Sequence, residues 1–327
     1  MERKRILSGN RPTGALHLGH YWGALANWVE LQKDYDCFFF VADWHALTTE
    51  YERPEIIIPS TREMVMDWLA VGLDPEKSVI FVQSRIKEHA ELYLLFGMTM
   101  SVSRLERVPS YKSFQEETGR DISTYGFLGY PLLQAADILM YRAQGVPVGE
   151  DQLAHVELTR EIARRFNGLY GEVFPEPDAL LTQASKVPGT DGRKMSKSYG
   201  NSIALAEDPD SIEKKIKTMM TDPARQRKTD PGNPDICPVF DLDKLYNDHD
   251  ELMWAADGCR NATIGCVEHK AKLWPRIIES LAPVREKRKY YEDHPGEVDD
   301  ILEEGNRKAR EYAGRTMEMA RSAMKLE

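Results

Sequence analysis

The sequence has no long apolar run and no sign of a secretory leader. The first four residues, Met1-Glu2-Arg3-Lys4, are mostly polar or charged. The longest apolar stretch, residues 92–102, is far shorter than the roughly 20 residues that a membrane-spanning helix needs. We therefore expect neither secretion nor a membrane span, and we interpret residues 92–102 as a buried helix segment. Only 4 cysteines occur in 327 residues, too few for a disulfide scaffold, so the reducing cytoplasm is the expected compartment.

Positive charge is also in short supply. The chain has 43 Lys and Arg against 53 Asp and Glu, a net charge of −10. A protein whose whole surface binds nucleic acid is usually basic, so any RNA site must be a local patch. A solvated helix face balanced by acids is the alternative for any single basic residue. Two candidate patches lie in the second half: Lys214, Lys215, Lys217, Arg225, Arg227 and Lys228, and then Arg285, Lys287, Arg288 and Lys289.

The first half of the chain alternates between two hydrophobic patterns. Short apolar runs at residues 5–8, 37–41 and 78–82 predict buried strands, and longer stretches of helical period at 22–32 and 56–73 predict helices between them. This alternation favours a Rossmann-like parallel sheet covered by helices on both faces. The Gly-rich dinucleotide fingerprint is missing after the first strand, which argues against a dinucleotide ligand.

After about residue 205 the strand signals fade and the pattern becomes helical. Asp208 followed by Pro209 is typical of a helix start. We expect an α/β fold with a Rossmann-like parallel-sheet catalytic domain, residues 1–190, plus a smaller all-helical C-terminal domain, residues 191–327. The last helix is expected to pack back on the catalytic domain.

The expected first strand leads into a segment that holds His17 and His20 on either side of Gly19. Three residues apart at the start of a helix, the two histidines would share one face. Gly19 lets a ligand approach the backbone closely. Because helix N-termini attract phosphate, two imidazoles there suit the binding of ATP and the departure of pyrophosphate. Two helix histidines with unrelated structural roles are the alternative.

A second candidate phosphate-binding segment is residues 194–198, with the sequence Lys-Met-Ser-Lys-Ser, flanked by Gly192 and Gly200. Lysines among small polar residues between glycines suit a mobile loop that closes on phosphates. A solvated basic loop is the alternative. Together the two segments resemble the HIGH and KMSKS signatures of class I aminoacyl-tRNA synthetases. The resemblance implies activation of an amino acid by ATP with Mg²⁺, followed by transfer to a tRNA.

A third pattern concerns the amino acid. Tyr130, Gln134 and Asp137 are spaced to line one helix face. Indole has one N–H donor and no acceptor, so an aspartate between apolar walls suits tryptophan. A polar stripe facing solvent is the alternative. Residues 145–152, Gly-Val-Pro-Val-Gly-Glu-Asp-Gln, and residues 43–48, Asp-Trp-His-Ala-Leu-Thr, are similar to the bacterial tryptophanyl-tRNA synthetase family. That resemblance extends over essentially the whole chain.

The resemblance implies a role for each matching residue. It implies that Asp137 accepts the indole N–H, that the partner is tRNA(Trp), and that the protein is a homodimer. Tryptophan would be bound by Leu7, His45, Tyr130, Gln134, Asp137, Val146, Val148 and Gln152. ATP would be bound by Gly9, Arg11, Thr13, His17, Gly19, His20, Lys112, Gly149, Asp151, Lys194, Met195, Ser196 and Lys197. The catalytic residues among these would be Arg11, His17, His20, Lys194 and Lys197.

A candidate metal site lies in the helical half. Cys237, Cys259, Cys266 and His269 could close a tetrahedral Zn²⁺ site. Some members of the resembling family carry four cysteines in a similar arrangement and hold a [4Fe–4S] cluster, whereas here the fourth position is a histidine. A cluster, a zinc ion, and buried thiols without metal all stay open at this point.

Three other functions compete with this reading. A tyrosine-specific enzyme of the same class would need a hydrogen-bonding pair at a phenol oxygen, and the sequence of residues 145–152 argues against it. A small-molecule nucleotidylyltransferase can share the first signature but usually lacks both the second signature and a helical domain of this size. A non-catalytic regulator that binds RNA or metal would have no need for the two histidines and two lysines.

Overall fold

The computed structural model describes residues 3–108, 124–181 and 187–326, without the side chain of Ser198. Lys112 lies outside the described residues. The strands are β1 (Arg5–Asn10), β2 (Asp36–Val41), β3 (Ser78–Val82), β4 (Gly145–Val148) and β5 (Asp178–Leu181). They form one sheet in the order β3-β2-β1-β4-β5, and every neighbouring pair is parallel. The expected Rossmann-like sheet is confirmed.

Helices follow most strands. The first begins at α1 (Leu18–His20) and continues through a π-helical turn (Tyr21–Leu25) into α2 (Ala26–Leu31). The others up to the end of the sheet are α3 (Asp43–Glu50), α4 (Ile57–Ala70), α5 (Glu88–Gly97), α6 (Val102–Leu105), α7 (Tyr125–Met140) and α8 (Leu153–Tyr170). Those beyond the sheet are α9 (Pro209–Thr218), α10 (Pro238–Asp243), α11 (His249–Arg260), α12 (Cys266–Asp293) and α13 (Pro295–Ala323).

The middle strands are apolar on both sides because each face of the sheet carries its own core. Successive side chains of β2 point to opposite faces. Phe39 stacks on Trp28 of α2, with ring centroids 4.5 Å apart, and Phe38 stacks on Tyr141 beyond α7 at 4.9 Å. All four side chains are buried. The near-continuous apolar run of β2 is therefore the consequence of a sheet that is covered twice.

The last helix covers the edge strand β3. The backbone N–H of Val82 donates to Asn306 Oδ1 at 2.9 Å, so a side chain of α13 takes a place that a neighbouring strand would fill. Gly305 lies so close to β3 that a Cβ atom there would come within 1.8 Å of the Ile80 carbonyl oxygen. In the described part of the chain, strands end at Leu181, and the elements from α9 onward are helical.

One sequence-based expectation needs correction. Residues 92–102 do not form one buried helix segment, because α5 ends at Gly97, and the side chains of Leu94, Met98 and Val102 are exposed. His17 and His20 lie at the start of a helix with their rings side by side, since His17 is the extended residue that caps α1 and the ring centroids are 3.8 Å apart. Of the helices in the described ranges, none is long and apolar enough to cross a membrane.

The candidate RNA patches also lose two members. Arg288 of α12 is buried and forms ion pairs with Asp67 and Glu63 of α4, so it is unable to contact a phosphate. Arg225 is buried as well, with its guanidinium donating to the Lys228 carbonyl oxygen at 3.0 Å. The second oxygen of Asp67 accepts the Leu16 backbone N–H at 3.0 Å. Arg288 thus ties the helical part of the chain to the segment that precedes His17.

Candidate active site

The two signature segments meet at the carboxyl end of β1. The backbone N–H of Leu18 donates to the Ile203 carbonyl oxygen, and that of Leu205 donates to Leu16, both at 3.0 Å. From the second signature, Lys197 Nζ donates to the Thr13 carbonyl oxygen at 3.2 Å. Segments more than 180 residues apart in sequence therefore line one cleft.

The two histidines are locked to the backbone at the start of α1. His17 Nδ1 accepts the Gly19 N–H at 3.1 Å, and His20 Nδ1 accepts the His17 N–H at 3.2 Å. Because each Nδ1 accepts, each neutral ring carries its proton on Nε2. Burial lowers the pKa of His17 to about 4, helped by Lys197. Burial also lowers the pKa of His20 to about 3, helped by His17 and the two signature lysines. Both rings are neutral hydrogen-bond donors at pH 7.

The lysines supply the positive charge of the cleft. Burial lowers the pKa of Lys197 to about 8, against the opposing charge of Asp67. Lys194 is exposed at the rim of the cleft. Met195, between the two lysines in sequence, is buried against α1. A Cβ atom on Gly19 would come within 2.8 Å of the His17 ring, so a side chain there would displace that ring. The cleft thus combines neutral N–H donors with lysine ammonium groups.

The remaining ATP candidates follow β1 or β4. Gly9 is the penultimate residue of β1, and Arg11 and Thr13 are exposed just beyond that strand. Gly149 follows β4, and Asp151 lies in the 3₁₀ turn after it. From β1 the chain crosses to β2 on one side, and from β4 it crosses to β5 on the other. Neighbouring strands whose connections diverge in this way leave a crevice at their carboxyl ends, where ligands of such sheets bind.

The amino-acid candidates surround Asp137 on α7. Its side chain is wholly buried and receives hydrogen bonds from His45 Nε2 at 2.8 Å, Gln83 Nε2 at 2.8 Å and His89 Nδ1 at 2.6 Å. Burial alone would raise the pKa of Asp137, but the hydrogen bonds from His45 and His89 outweigh it, so the pKa lies below its usual value. A buried carboxylate is thus kept ionised.

The other tryptophan candidates lie on the same side of the sheet. Leu7 of β1 and Val146 and Val148 of β4 are buried. The ring of Tyr130 lies edge-on to His45 with centroids 6.3 Å apart. Gln134 is half-buried one turn from Asp137, and half-buried Gln152 donates to Asp151 at 3.1 Å. The apolar candidates therefore share one core cluster, and Tyr130 and Gln134 lie on the helix that carries Asp137.

Sequence reasoning missed the side chains behind Asp137. Gln83 comes directly after β3, at the carboxyl edge of the sheet. Polar residues at that edge are candidates for a ligand site, so its position in the sequence was a usable signal. His89 in the first turn of α5 carries no comparable signal, because it lies 48 residues from Asp137 in sequence. Tyr141, directly after α7, follows Asp137 by one helical turn and continues the spacing of Tyr130, Gln134 and Asp137.

The cysteines and the histidine of the helical part do not form the expected metal site. His269 Nε2 lies 3.0 Å from Asp243 Oδ2, and Arg225 donates to Cys259 Sγ at 3.6 Å. Burial raises the pKa of Cys237 and of Cys259, so both carry thiols at pH 7 in the chain without a metal. Within the described ranges, no group of three or more His, Cys, Asp or Glu side chains is placed to hold a metal ion. The four residues do not fit a four-ligand centre.

Comparison with known proteins agrees with this geometry. The family of class I tRNA synthetases for tryptophan and tyrosine (W and Y) matches residues 1–282. The tryptophan–tRNA ligase of Thermotoga maritima is 58% identical, over 98% of this chain and 99% of that protein. The enzyme of Aquifex aeolicus is 47% identical, over 98% of this chain and 100% of that protein. The crystal structure of Campylobacter jejuni tryptophanyl-tRNA synthetase complexed with ADP and tryptophan has 33% identity and a TM-score of 0.87, covering 98% of this chain and 99% of that one.

The chain therefore belongs to the class I tRNA synthetases, and within them to the family of bacterial tryptophan–tRNA ligases. It is an ATP-dependent enzyme of protein synthesis. The family that the two signatures and residues 145–152 resemble is confirmed. The roles of single residues stay predictions.

Proposed function

We propose that the cleft between β1 and β4 carries out both half-reactions of a tryptophan–tRNA ligase. The tryptophan carboxylate attacks the α-phosphorus of ATP, which enters as its Mg²⁺ complex, and pyrophosphate leaves. The product, tryptophanyl-adenylate, is then attacked by a hydroxyl at the 3′ end of tRNA(Trp), and AMP leaves.

The histidines and lysines act on the phosphates. His17 and His20 are neutral and hold their protons on Nε2, so each offers an N–H to a phosphate oxygen without titrating near pH 7. Lys197 already reaches the first signature segment, so a small movement would bring its ammonium group onto the leaving pyrophosphate. We assign Lys194 to the same task from the rim, with Arg11 and Thr13 beside the nucleotide.

Asp137 selects the amino acid. A carboxylate that stays ionised at the bottom of an apolar pocket can accept the indole N–H. It forms no hydrogen bond with an amino-acid side chain that lacks a donor. Leu7, Val146 and Val148 form walls beside it. We assign the tryptophan ammonium and carboxylate groups to Tyr130 and Gln152, at the side of the pocket nearest the nucleotide candidates.

The observation that carries this proposal is the contact of Lys197 with Thr13, which joins the two signatures across the cleft. The test is exchange of labelled pyrophosphate into ATP, with each of the twenty amino acids supplied in turn. Exchange should depend on tryptophan, with tyrosine as the informative control because the family includes both specificities. Exchange driven by tyrosine, or independent of any amino acid, would contradict the proposal.

We assign tRNA recognition to the helical domain, residues 191–327, and catalysis to residues 1–190. The buried pair of Arg288 and Asp67 supports a close connection between the two, because it joins α12 to the residue that accepts the Leu16 N–H. Exposed lysines of α9, such as Lys214, remain candidates for phosphate contacts. Arg225 and Arg288 are excluded from that role by burial.

We also propose a homodimer and a cytoplasmic location. Leu94, Met98 and Val102 are exposed near the C-terminal end of α5, and the exposed Tyr125 hydroxyl lies beside Gly97. Apolar side chains clustered on a surface favour association with a second copy, which the mass in solution tests. All four cysteines carry free thiols, which suits a reducing compartment. No step of the proposed reaction uses a metal at Cys237, Cys259, Cys266 and His269.

A further inference from the structure

Three wholly buried polar side chains lie behind Asp137, on the side away from the pocket. Gln83 follows β3, His89 lies in the first turn of α5, and Tyr141 follows α7. The reaction described above gives none of these three side chains a task. A buried network of polar side chains costs stability unless every member is hydrogen-bonded. The partners of these three side chains therefore indicate what the network does.

The orientation of the Gln83 amide is fixed by the backbone. Its Oε1 accepts the Trp44 N–H at 3.2 Å, so its Nε2 must face the other way. That nitrogen lies 2.8 Å from one oxygen of Asp137 and 2.9 Å from the other. Gln83 therefore donates one N–H that is shared between both oxygens of the carboxylate.

The tautomer of His89 is fixed by Tyr141. His89 Nδ1 lies 2.6 Å from Asp137 Oδ1, and its Nε2 lies 2.8 Å from the Tyr141 hydroxyl. Burial raises the pKa of Tyr141 well above its usual value, and the charge of Asp137 adds to this. The hydroxyl therefore keeps its proton and donates it to Nε2, which leaves the imidazole proton on Nδ1, where it is donated to Asp137.

A carboxylate offers about four acceptor sites. Gln83, His89 and His45 take up three of those on Asp137, and one remains. We propose that His89, held by Tyr141, is a positioning residue for amino-acid selection: it fixes Asp137 so that the remaining acceptor site faces the indole N–H. The inference rests on the role proposed for Asp137, and it adds the side chains that orient the Asp137 carboxylate toward the indole N–H.

The test compares tryptophan with the analogue that carries sulfur in place of the indole N–H. His89→Leu removes the donor at similar volume, and His89→Asn restores an N–H near the position of Nδ1. The ratio of kcat/KM for tryptophan to that for the analogue should fall about 10- to 100-fold in His89→Leu, because only tryptophan uses the oriented acceptor. It should recover most of the loss in His89→Asn. Tyr141→Phe removes a single oxygen and should lower the ratio by a smaller factor.

Equal losses for both substrates in His89→Leu and Tyr141→Phe would overturn the inference, because a merely structural role does not distinguish them. If His89→Leu fails to fold, the ratio in Tyr141→Phe decides alone, and an unchanged ratio overturns the inference. Asp137→Ala is measured in parallel. A loss of the ratio there, with none in the His89 and Tyr141 variants, would reject only the positioning role. An unchanged ratio in Asp137→Ala would reject the proposed role of Asp137 itself.

Discussion

Among the residues that the structure describes, histidines contact two buried aspartates, Asp137 and Asp243, and the surroundings of these two carboxylates differ. At the carboxyl edge of the sheet, Asp137 accepts from His45, Gln83 and His89, and His45 is partly accessible from the pocket. In the helical part, Asp243 accepts from His269 and Asn247. Both carboxylates are buried, but of the two only Asp137 is bonded to residues that follow strands, His45 after β2 and Gln83 after β3.

The difference shows that position in the fold decides the task of such a pair. At the sheet edge, the carboxylate has acceptor capacity left over and apolar walls around it, so it can recognise a ligand. In the helical part, both oxygens of the aspartate are taken by side chains of the protein, Asn247 and His269. There the contact joins α10 to α12 and contributes to packing. Variants of the two regions should therefore differ: those at the sheet edge should change the reaction, and those in the helical part should change the stability.

The largest expected effect is that of Lys197→Ala at the sheet edge. Its ammonium group is placed to act as charge develops on pyrophosphate, so tryptophanyl-adenylate formation should slow by roughly 100-fold or more. Tryptophan affinity should change little, because the lysine acts mainly in the transition state. Single-turnover adenylate formation is the measurement. Lys33→Ala, an exposed lysine paired with Glu30, is the matched control. A normal single-turnover rate in Lys197→Ala would withdraw its assignment.

The signatures could be read from the sequence because each is a short contiguous segment with its own chemistry. The parallel sheet could be predicted for the same reason, since alternating apolar runs are local. The role of His89 behind Asp137 could not be predicted, because His89 lies 48 residues away from Asp137 and meets it only in the fold. The cysteine spacing left a cluster, a zinc ion and metal-free thiols open. The contact of His269 with Asp243 could not be predicted from that spacing, because Asp243 lies outside it.

The pH dependence of ATP use should follow Lys197. Its pKa, lowered by burial to about 8, means that the free enzyme carries this charge below pH 8 and loses it above. The kcat/KM for ATP should therefore fall about tenfold per unit of pH once the pH exceeds that value. His17 and His20 stay neutral from pH 5 upward and should add no step.

A pH profile from 5 to 10 measures this, with Lys197→Arg as the partner variant. Arginine stays charged throughout, so the fall above pH 8 should vanish even if the absolute rate drops. A fall at the same pH in Lys197→Arg would assign the titration to another group.

The smallest effect on chemistry is expected in the helical part. Asp243→Ala and His269→Ala should each lower the free energy of unfolding by about 1–3 kcal/mol, because each leaves a buried polar group without its partner. Together they should cost less than the sum, since the two side chains share one contact. Tryptophan-dependent pyrophosphate exchange should be unchanged, because neither residue faces the cleft. His249→Ala, at an exposed position of α11, is the control and should alter neither quantity.

Iron, sulfide and zinc are measured on the same anaerobically purified samples. If His269→Ala releases a bound metal, or if exchange falls while the protein stays folded, then the two contacts are more alike than the fold indicates. His269 would then have to be counted among ligands rather than among packing residues.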